Sequence, residues 1–232
     1  MSPDKLESNR EQLAPDTEAR LRDLVAQLLL ANQTTNLTAI RNEEDAWTRH
    51  VLDSLEGLKT SYFDADASCI DVGAGPGFPG LPLAIARPQT RWTFLEATGK
   101  KCRYIEAMSE RFALNAQVLH ARAETKGQDK MWRAKFDVAT ARAVGSLPEV
   151  LELCLPFVKV GGHLLLWRGK DAPEEAAPAR HALYVLGGTV REIRPYTLPA
   201  SEALYHLVII EKTSSTARFY PRRDGLPKSK PL

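Results

Sequence analysis

The hydrophobic rhythm of the chain changes near residue 66. Before that point apolar residues recur every three or four positions. Leu21, Leu24, Val25, Leu28 and Leu29 mark one helical face, with Asp16 or Thr17 placed to cap it. This helix is expected to end near Asn32 and Gln33, with residues 34–40 as a polar turn and a second amphipathic run over residues 43–58. Beyond residue 67, short β-type runs at 69–72, 91–96, 117–120, 136–140 and 161–167 alternate with helical periodicity at 81–86, 101–114, 147–155 and 173–186. Two more strands follow at 190–196 and 204–212 with no helix between them. Alternating strands and helices imply a mainly parallel sheet covered on both faces, and the final two strands should pair antiparallel. The pattern therefore predicts a doubly wound α/β domain with a seven-stranded, Rossmann-like sheet. A helical cap (1–66) precedes the domain (67–213), and a basic tail (214–232) without periodicity is expected to be extended and mobile. The three parts form one structural unit.

The most informative chemistry lies in Asp71-Val-Gly-Ala-Gly-Pro-Gly-Phe-Pro-Gly80, between the first strand and the first helix of the domain. Strand, glycine turn and helix form a nucleotide cradle, because backbone without Cβ atoms can approach a ligand closely. Gly75, Gly77 and Gly80 also fit the dinucleotide spacing Gly-x-Gly-x-x-Gly. Asp71 separates the two readings. A carboxylate at the strand end repels a pyrophosphate and can hold the ammonium group of S-adenosylmethionine, which leaves a dinucleotide as the weaker choice. Glu96 ends the second strand about 20 residues on, where an acidic side chain accepts both hydroxyls of a ribose. That role serves either cofactor.

Composition narrows the class. With 232 residues and 44% hydrophobic content the chain can bury one sizeable core. The net charge of +2 predicts no partner by itself, yet Arg218, Arg222, Arg223, Lys228 and Lys230 face only Asp224 in the last 16 residues. Cys69, Cys102 and Cys154 have neither CxxC nor metal spacing, and this sparse, odd set suits a reducing cytoplasm. No apolar stretch reaches the roughly 18 residues that span a bilayer, and the first residues lack the pattern of a signal peptide. A soluble cytoplasmic protein without a membrane partner is expected, and a monomer, since no oligomerisation seam is evident.

Further motifs then stand in a fixed order: Asn36-Leu-Thr-Ala-Ile40, His50-Val-Leu-Asp-Ser54, Glu96-Ala97 with Lys100-Lys101, Ala121-Arg-Ala-Glu124, Ala141-Arg-Ala-Val144, Trp167-Arg-Gly-Lys170 and Tyr220-Pro-Arg-Arg223. Together with the glycine loop, this set resembles the bacterial small-subunit ribosomal RNA guanine-N7 methyltransferases, also known as glucose-inhibited division protein B. The resemblance covers most of the chain. It implies a class I methyltransferase fold, S-adenosylmethionine as cofactor, and 16S ribosomal RNA of the small subunit as partner, modified at N7 of a single guanine in the decoding region. It adds Gly73, Phe78, Ala97, Thr98, Ala123 and Glu124 to the cofactor shell. Glu124 would meet the adenine amino group and the Ala123 amide a ring nitrogen; for Phe78, helix packing is the competing role. The chain departs from the family at Tyr205-His206, where an Arg-His pair is usual.

Arg142 follows the fourth strand, at the carboxyl edge where doubly wound sheets place ligands, and is the candidate catalytic residue. It can grip a phosphate, guanine O6 or the cofactor carboxylate; the competing role is a surface ion pair. The chain has neither an Asn/Asp-Pro-Pro-aromatic motif nor a Pro-Cys pair, which disfavours adenine-N6 and cytosine-C5 methylation. Guanine N7 carries a lone pair and no proton, so its methylation needs positioning and no general base. His50 and Asp53, three apart on a helix, are expected to join Asn36 in a hydrogen-bonded cluster, since no further ligand completes a metal site. Arg122 is an RNA or structural contact. Arg168, Lys170, Arg222, Arg223, Lys228 and Lys230 are expected to form a phosphate-binding rim. Two rival functions are a nicotinamide-dependent oxidoreductase, which would lack a Tyr-x-x-x-Lys pair, and a noncatalytic ribosome-assembly module.

Overall fold

The computed structural model describes residues 14–64, 66–199 and 201–232. Features expected in the first 13 residues, including the start of the cap and the character of the N-terminus, lie outside the described residues. Helix α1 (Pro15–Thr35) buries Leu21, Leu24, Val25 and Leu28, the stripe that its periodicity marks. It begins earlier than the expected cap: Ala14 stands at the N-cap with Pro15 at the first helical position, where its fixed φ and missing N–H suit the helix. The helix also runs through Thr34 and Thr35 and stops at Asn36, whose φ of 48° provides a left-handed C-cap. The second amphipathic run is one continuous rod of changing pitch. It comprises α2 (Glu43–Ala46), a π-helical turn (Trp47–Leu52), α3 (Asp53–Leu55) and a 3₁₀ turn (Glu56–Lys59).

The domain alternates as its sequence pattern predicts, with one helix, Ala123–Gln128, that the pattern does not mark. Its elements are β1 (Ser68–Val72), α4 (Gly80–Ala86), β2 (Arg91–Glu96), α5 (Gly99–Arg111), β3 (Ala116–His120), α6 (Ala123–Gln128), β4 (Phe136–Arg142), α7 (Leu147–Cys154) and β5 (Val158–Arg168). The region expected as one helix over 173–186 is two, α8 (Ala172–Ala176) and α9 (Arg180–Leu186). Pro178 lies between them; it lacks an amide and biases the residue before it away from helical geometry. β6 (Gly188–Thr197) and β7 (Leu204–Lys212) complete the sheet, and α10 (Leu226–Ser229) ends the described elements.

The described strands form a seven-stranded sheet in the order β3-β2-β1-β4-β5-β7-β6. The first five run parallel, while β7 pairs antiparallel with both β5 and β6. The order reverses between β1 and β4, which opens a crevice at the carboxyl ends of those strands. One core lies between the sheet and α1, α4 and α5, around Leu81, Phe94 and Ile105. The other joins the opposite face to α7, α9 and the C-terminal segment, around Leu151, Phe157 and Tyr220.

The tail corrects an expectation. It is packed, not extended. Arg133 donates to the carbonyls of Thr216, Ala217 and Tyr220, and Gln128 donates to the Pro221 carbonyl. Arg222 forms an ion pair at 2.6 Å with Glu152, which is fully buried. Once Glu152 is buried it requires a cation, and the tail supplies it.

Candidate active site

The crevice is built from the β1–α4 loop. Gly73 and Ala74 donate their amides to the Leu95 carbonyl on β2, which pins the loop to the sheet. Gly73, Gly75 and Gly77 have φ of 68°, 59° and 91°, in the left-handed region that side chains disfavour. Beyond conformation the glycines differ in role. A Cβ on Gly77 would strike Leu81, and one on Gly80 would strike Phe94 and Asp71. A Cβ on Gly75 would meet no atom within 4 Å. Gly77 and Gly80 therefore serve packing, whereas Gly75 faces open space.

Glu96 ties this loop to the next one. Its Oε2 accepts the Gly75 amide at 2.9 Å and its Oε1 the Thr98 amide at 2.8 Å. Each carboxylate oxygen retains a second lone pair, so the bonds orient the group without exhausting it. Ala97 and Thr98 are exposed beside it, and His120 Nε2 donates to the Ala97 carbonyl. An oriented carboxylate, a left-handed glycine turn and open space next to Gly75 suit the ribose end of a nucleoside cofactor.

Asp71 does not face that space. It is fully buried, accepting the Gly80 amide and the Thr140 hydroxyl, each at 3.0 Å. Burial pushes its pKa up to about 7, against the lowering effect of those two hydrogen bonds. The expected contact with a cofactor ammonium is therefore corrected: the carboxyl holds the loop from beneath, and its influence on a ligand is indirect. Glu124 is likewise engaged by protein. Its Oε1 accepts the amide of Gly225 in the tail at 2.9 Å and Arg122 Nη2 at 3.1 Å. Burial alone would raise its pKa, yet the bonds from Gly225, its own amide and Arg122 hold it below the usual carboxylate range. Ala123 is half-buried beside it.

Arg142, at the end of β4, is the hub of the site. Its Nη1 donates to Asp53 Oδ2 at 2.6 Å and to the Arg49 carbonyl at 2.9 Å, and its Nη2 to His50 Nδ1 at 3.1 Å. Asp53 Oδ1 accepts the Tyr196 hydroxyl at 2.5 Å, and its carbonyl accepts Trp167 Nε1 at 2.7 Å. His50 Nε2 pairs with the Thr38 hydroxyl at 2.9 Å. The arginine thus joins the cap to the carboxyl edge of the sheet, a partly buried junction and not a surface ion pair. Its Nε–H and one Nη2–H meet no acceptor among the described residues. Phe78 lies under this cluster: His50 stacks on its ring at 4.7 Å, and the guanidinium carbon is 5.8 Å from the ring centre.

The protonation of His50 follows from its partners. Burial, then the charges of Arg142 and Arg49, lower its pKa to about 3, so the ring is neutral. Nδ1 accepts from Arg142, so the proton is on Nε2 and is donated to Thr38. Neither ring nitrogen is free to accept a proton.

The expected cluster thus forms, with one exchange of members. Asn36 bonds to Arg41 and lies apart; Thr38 takes its place, held by Asn32, which donates to the Thr38 carbonyl and accepts its amide. The sequence does not single out Tyr196, and no local signal could, because its partner stands 143 residues away. The π-helical turn is equally hidden; it brings the Arg49 carbonyl and the His50 ring to the same guanidinium.

The expected basic rim divides. Arg168 and Lys170 lie at the end of β5, near Arg142, with Arg168 bonded to Glu175 and the Gly145 carbonyl and Lys170 exposed. His206 donates to the Gly169 carbonyl between them, and Tyr205 stacks on Tyr196 at 5.7 Å. Arg222 is tied to Glu152, while Arg223, Lys228 and Lys230 are exposed on the other face of the sheet, with Arg122 nearer the crevice. Among the described residues no three His, Cys, Asp or Glu side chains group as metal ligands, and no helix is long and apolar enough to cross a membrane.

Comparisons with known proteins agree with this architecture. The family described as rRNA small subunit methyltransferase G matches residues 17–202. A ribosomal RNA small subunit methyltransferase G from Alkaliphilus metalliredigens is 41% identical over 206 residues, covering 88% of this chain and 86% of its own. One from a Roseiflexus species is 44% identical over 208 residues, covering 89% and 88%. Among solved structures, M. jannaschii TYW2 in complex with AdoMet matches the fold at TM-score 0.51 and 14% identity, over 68% of this chain and 74% of its own. Sheet order, crevice and sequence kinship lead to one conclusion: the chain belongs to the rRNA small subunit methyltransferase G family.

Proposed function

We propose that this chain methylates N7 of a single guanine in 16S ribosomal RNA, with S-adenosylmethionine as cofactor and the small ribosomal subunit as substrate. Family membership supports ribosomal RNA methylation, and the oxidoreductase and assembly-module readings are not favoured. The observation that carries the choice of atom is the state of His50. Its ring is neutral, Nδ1 is taken by Arg142 and Nε2 donates to Thr38, so the cluster beside the crevice has no free base. Guanine N7 has nothing to deprotonate, and this site is built to position and not to remove a proton.

When bound, S-adenosylmethionine supplies an electrophilic methyl group on sulfur. The residues that would hold it are Glu96, Gly73, Gly75, Ala97, Thr98, Ala123 and Glu124, with Gly77 and Asp71 fixing the loop. Glu96 offers its remaining lone pairs to ribose hydroxyls, and Gly75 leaves the room that a larger residue would fill. Arg142 directs its remaining N–H groups to guanine O6, a phosphate or a carboxylate. It does not address N7 itself, where a positive charge would oppose the charge developing on the base. Phe78 and His50 supply a stacked wall. Arg122, Arg168, Lys170, Arg223, Lys228 and Lys230 are proposed RNA contacts, whereas the guanidinium of Arg222 is held by Glu152. The proposal places the protein in the cytoplasm, where a ribosomal RNA substrate is found, and takes it to act as a monomer.

The test supplies the protein with labelled S-adenosylmethionine and small subunits from a strain lacking the modification, then maps label by chain cleavage at 7-methylguanine. One cleaved guanine supports the proposal. Label that resists such cleavage keeps the methyltransferase and discards N7.

A further inference from the structure

At the opposite end of the sheet from the crevice lies a cavity of about 310 Å³. It forms where β4 and β5 begin and β7 ends. Four basic side chains, Lys130, Arg133, Lys212 and Arg218, line it together with Gln128 and Thr216, and none of its lining residues is acidic. The acidic side chains on the flanking segments are engaged elsewhere, Asp129 with Lys126 and the Met131 amide, Asp137 with Lys159 and Ser68.

Lys212 is the telling residue. Only 1% of it is exposed, and its ammonium donates to the Leu186 carbonyl and the Thr216 hydroxyl. An ammonium has three N–H groups, and the third meets no acceptor among the described residues. Arg133 brings fixed charge, with its two terminal nitrogens bonded to the carbonyls of Gly127, Thr216, Ala217 and Tyr220. Arg218 and Lys130 are exposed and have no ion-pair partner among the described residues. The cations also feel one another: burial, then the charge of Arg218, depresses the pKa of Arg133, and burial, then the charge of Arg133, lowers that of Lys212 to about 7. Like charges gathered without a counter-ion raise the energy of the protein, and an anion would relieve it.

We propose that this cavity is a second binding site, separate from the methyl-transfer crevice, which takes a phosphoryl anion. Lys130, Arg218 and the third N–H of Lys212 offer donors to an anion with several oxygens, and the volume stands at the small end of ligand pockets, larger than a bare halide needs. The apolar lining, Ala134, Pro156, Val158 and Val160, accommodates the organic part of such a compound. The phosphoryl group belongs either to a free phosphorylated metabolite or to an RNA backbone. Along β4 the start of the strand is six residues from Arg142, about 20 Å, so an RNA reaching both sites would wrap the domain.

The test is calorimetric titration of the full chain with inorganic pyrophosphate, at ionic strength balanced with chloride. Wild-type protein is expected to bind one equivalent. Lys130→Ser with Arg218→Ser, which alters exposed residues, is expected to weaken binding about tenfold or more, and Lys212→Met, matched to wild type by its unfolding midpoint, to do the same. Displacement of pyrophosphate by a guanine-free oligoribonucleotide identifies an RNA backbone as the source; displacement by small phosphate esters alone identifies a metabolite. Absence of binding to wild type, or equal affinity in wild type and both variants, overturns the proposal.

Discussion

Replacing Asp53 with asparagine removes one negative charge from the centre of the Arg142 cluster and changes little else. Asp53 is 7% exposed and accepts at 2.5 Å from Tyr196 and at 2.6 Å from Arg142. The amide keeps its oxygen toward Arg142 and turns its NH₂ toward Tyr196, whose hydroxyl can rotate to accept. Both contacts persist, and Arg142 loses its countercharge. Stripping the partner from a fully buried ion costs about 3–5 kcal/mol. Here the arginine side chain is 15% exposed and keeps the Arg49 carbonyl and His50, so the expected loss is nearer the value of one charged hydrogen bond, about 2 kcal/mol. That corresponds to roughly 30-fold in an equilibrium constant. Urea unfolding reads the stability, and steady-state methylation of small subunits reads kcat and the KM of each substrate. We expect kcat to fall at least about tenfold while the cofactor KM stays within about twofold, because Asp53 orients Arg142 and none of its bonds reaches the Glu96 loop. Tyr196→Phe retains the charge and should lose about 1 kcal/mol. The reasoning is refuted if Asp53→Asn keeps wild-type stability and kcat, or if its effects add independently to those of Arg142→Gln, since paired groups should couple.

Three further outcomes follow from the same geometry. Gly75→Ala should fold at a cost of about 1–2 kcal/mol for left-handed backbone yet lose cofactor affinity, whereas Gly80→Ala should fail to fold, as circular dichroism and cofactor titration will show. Asp71 has its folded pKa raised to about 7, so the stability it contributes is fully present below about pH 4 and is lost as pH rises toward 7. Asp71→Asn should flatten that part of the pH–stability profile, and an unchanged slope would assign the slope to other groups. Arg222→Ala should strand Glu152 and cost about 3–5 kcal/mol, with the tail becoming cleavable in limited proteolysis; a resistant tail would mean that Arg133 alone retains it.

The strands were legible because their signal is local. β2 and β7 begin and end where their apolar, β-branched runs do, at Arg91–Glu96 and Leu204–Lys212. Short helices such as α6, six residues with a glycine, offer too few turns for a period to register. The positions of Asp71, Glu96 and Arg142 at the carboxyl edge could be read from spacing, but the directions of their side chains could not. Asp71 lies on the α4 side of β1 and is covered by Gly80, so the charge argument that favoured one cofactor over another acts through the loop. Glu124 and Glu152 behaved as elements of the active edge and a helix in the sequence, yet their partners, Gly225 and Arg222, lie 101 and 70 residues away. Contacts of that length have no periodic trace.

The span of the Asp53 contacts has a consequence for how the enzyme comes into being. Asp53 waits for Arg142, 89 residues later, and for Tyr196, 143 residues later. At synthesis rates of about 5–20 residues per second, roughly 7–30 s separate the emergence of the acid from that of its last partner. During that interval the cap can be helical, but its half of the site has nothing to hold. The cluster around Arg142 is therefore complete only once β6, held through β7, has joined the sheet, and until then Asp53 lacks its last partner.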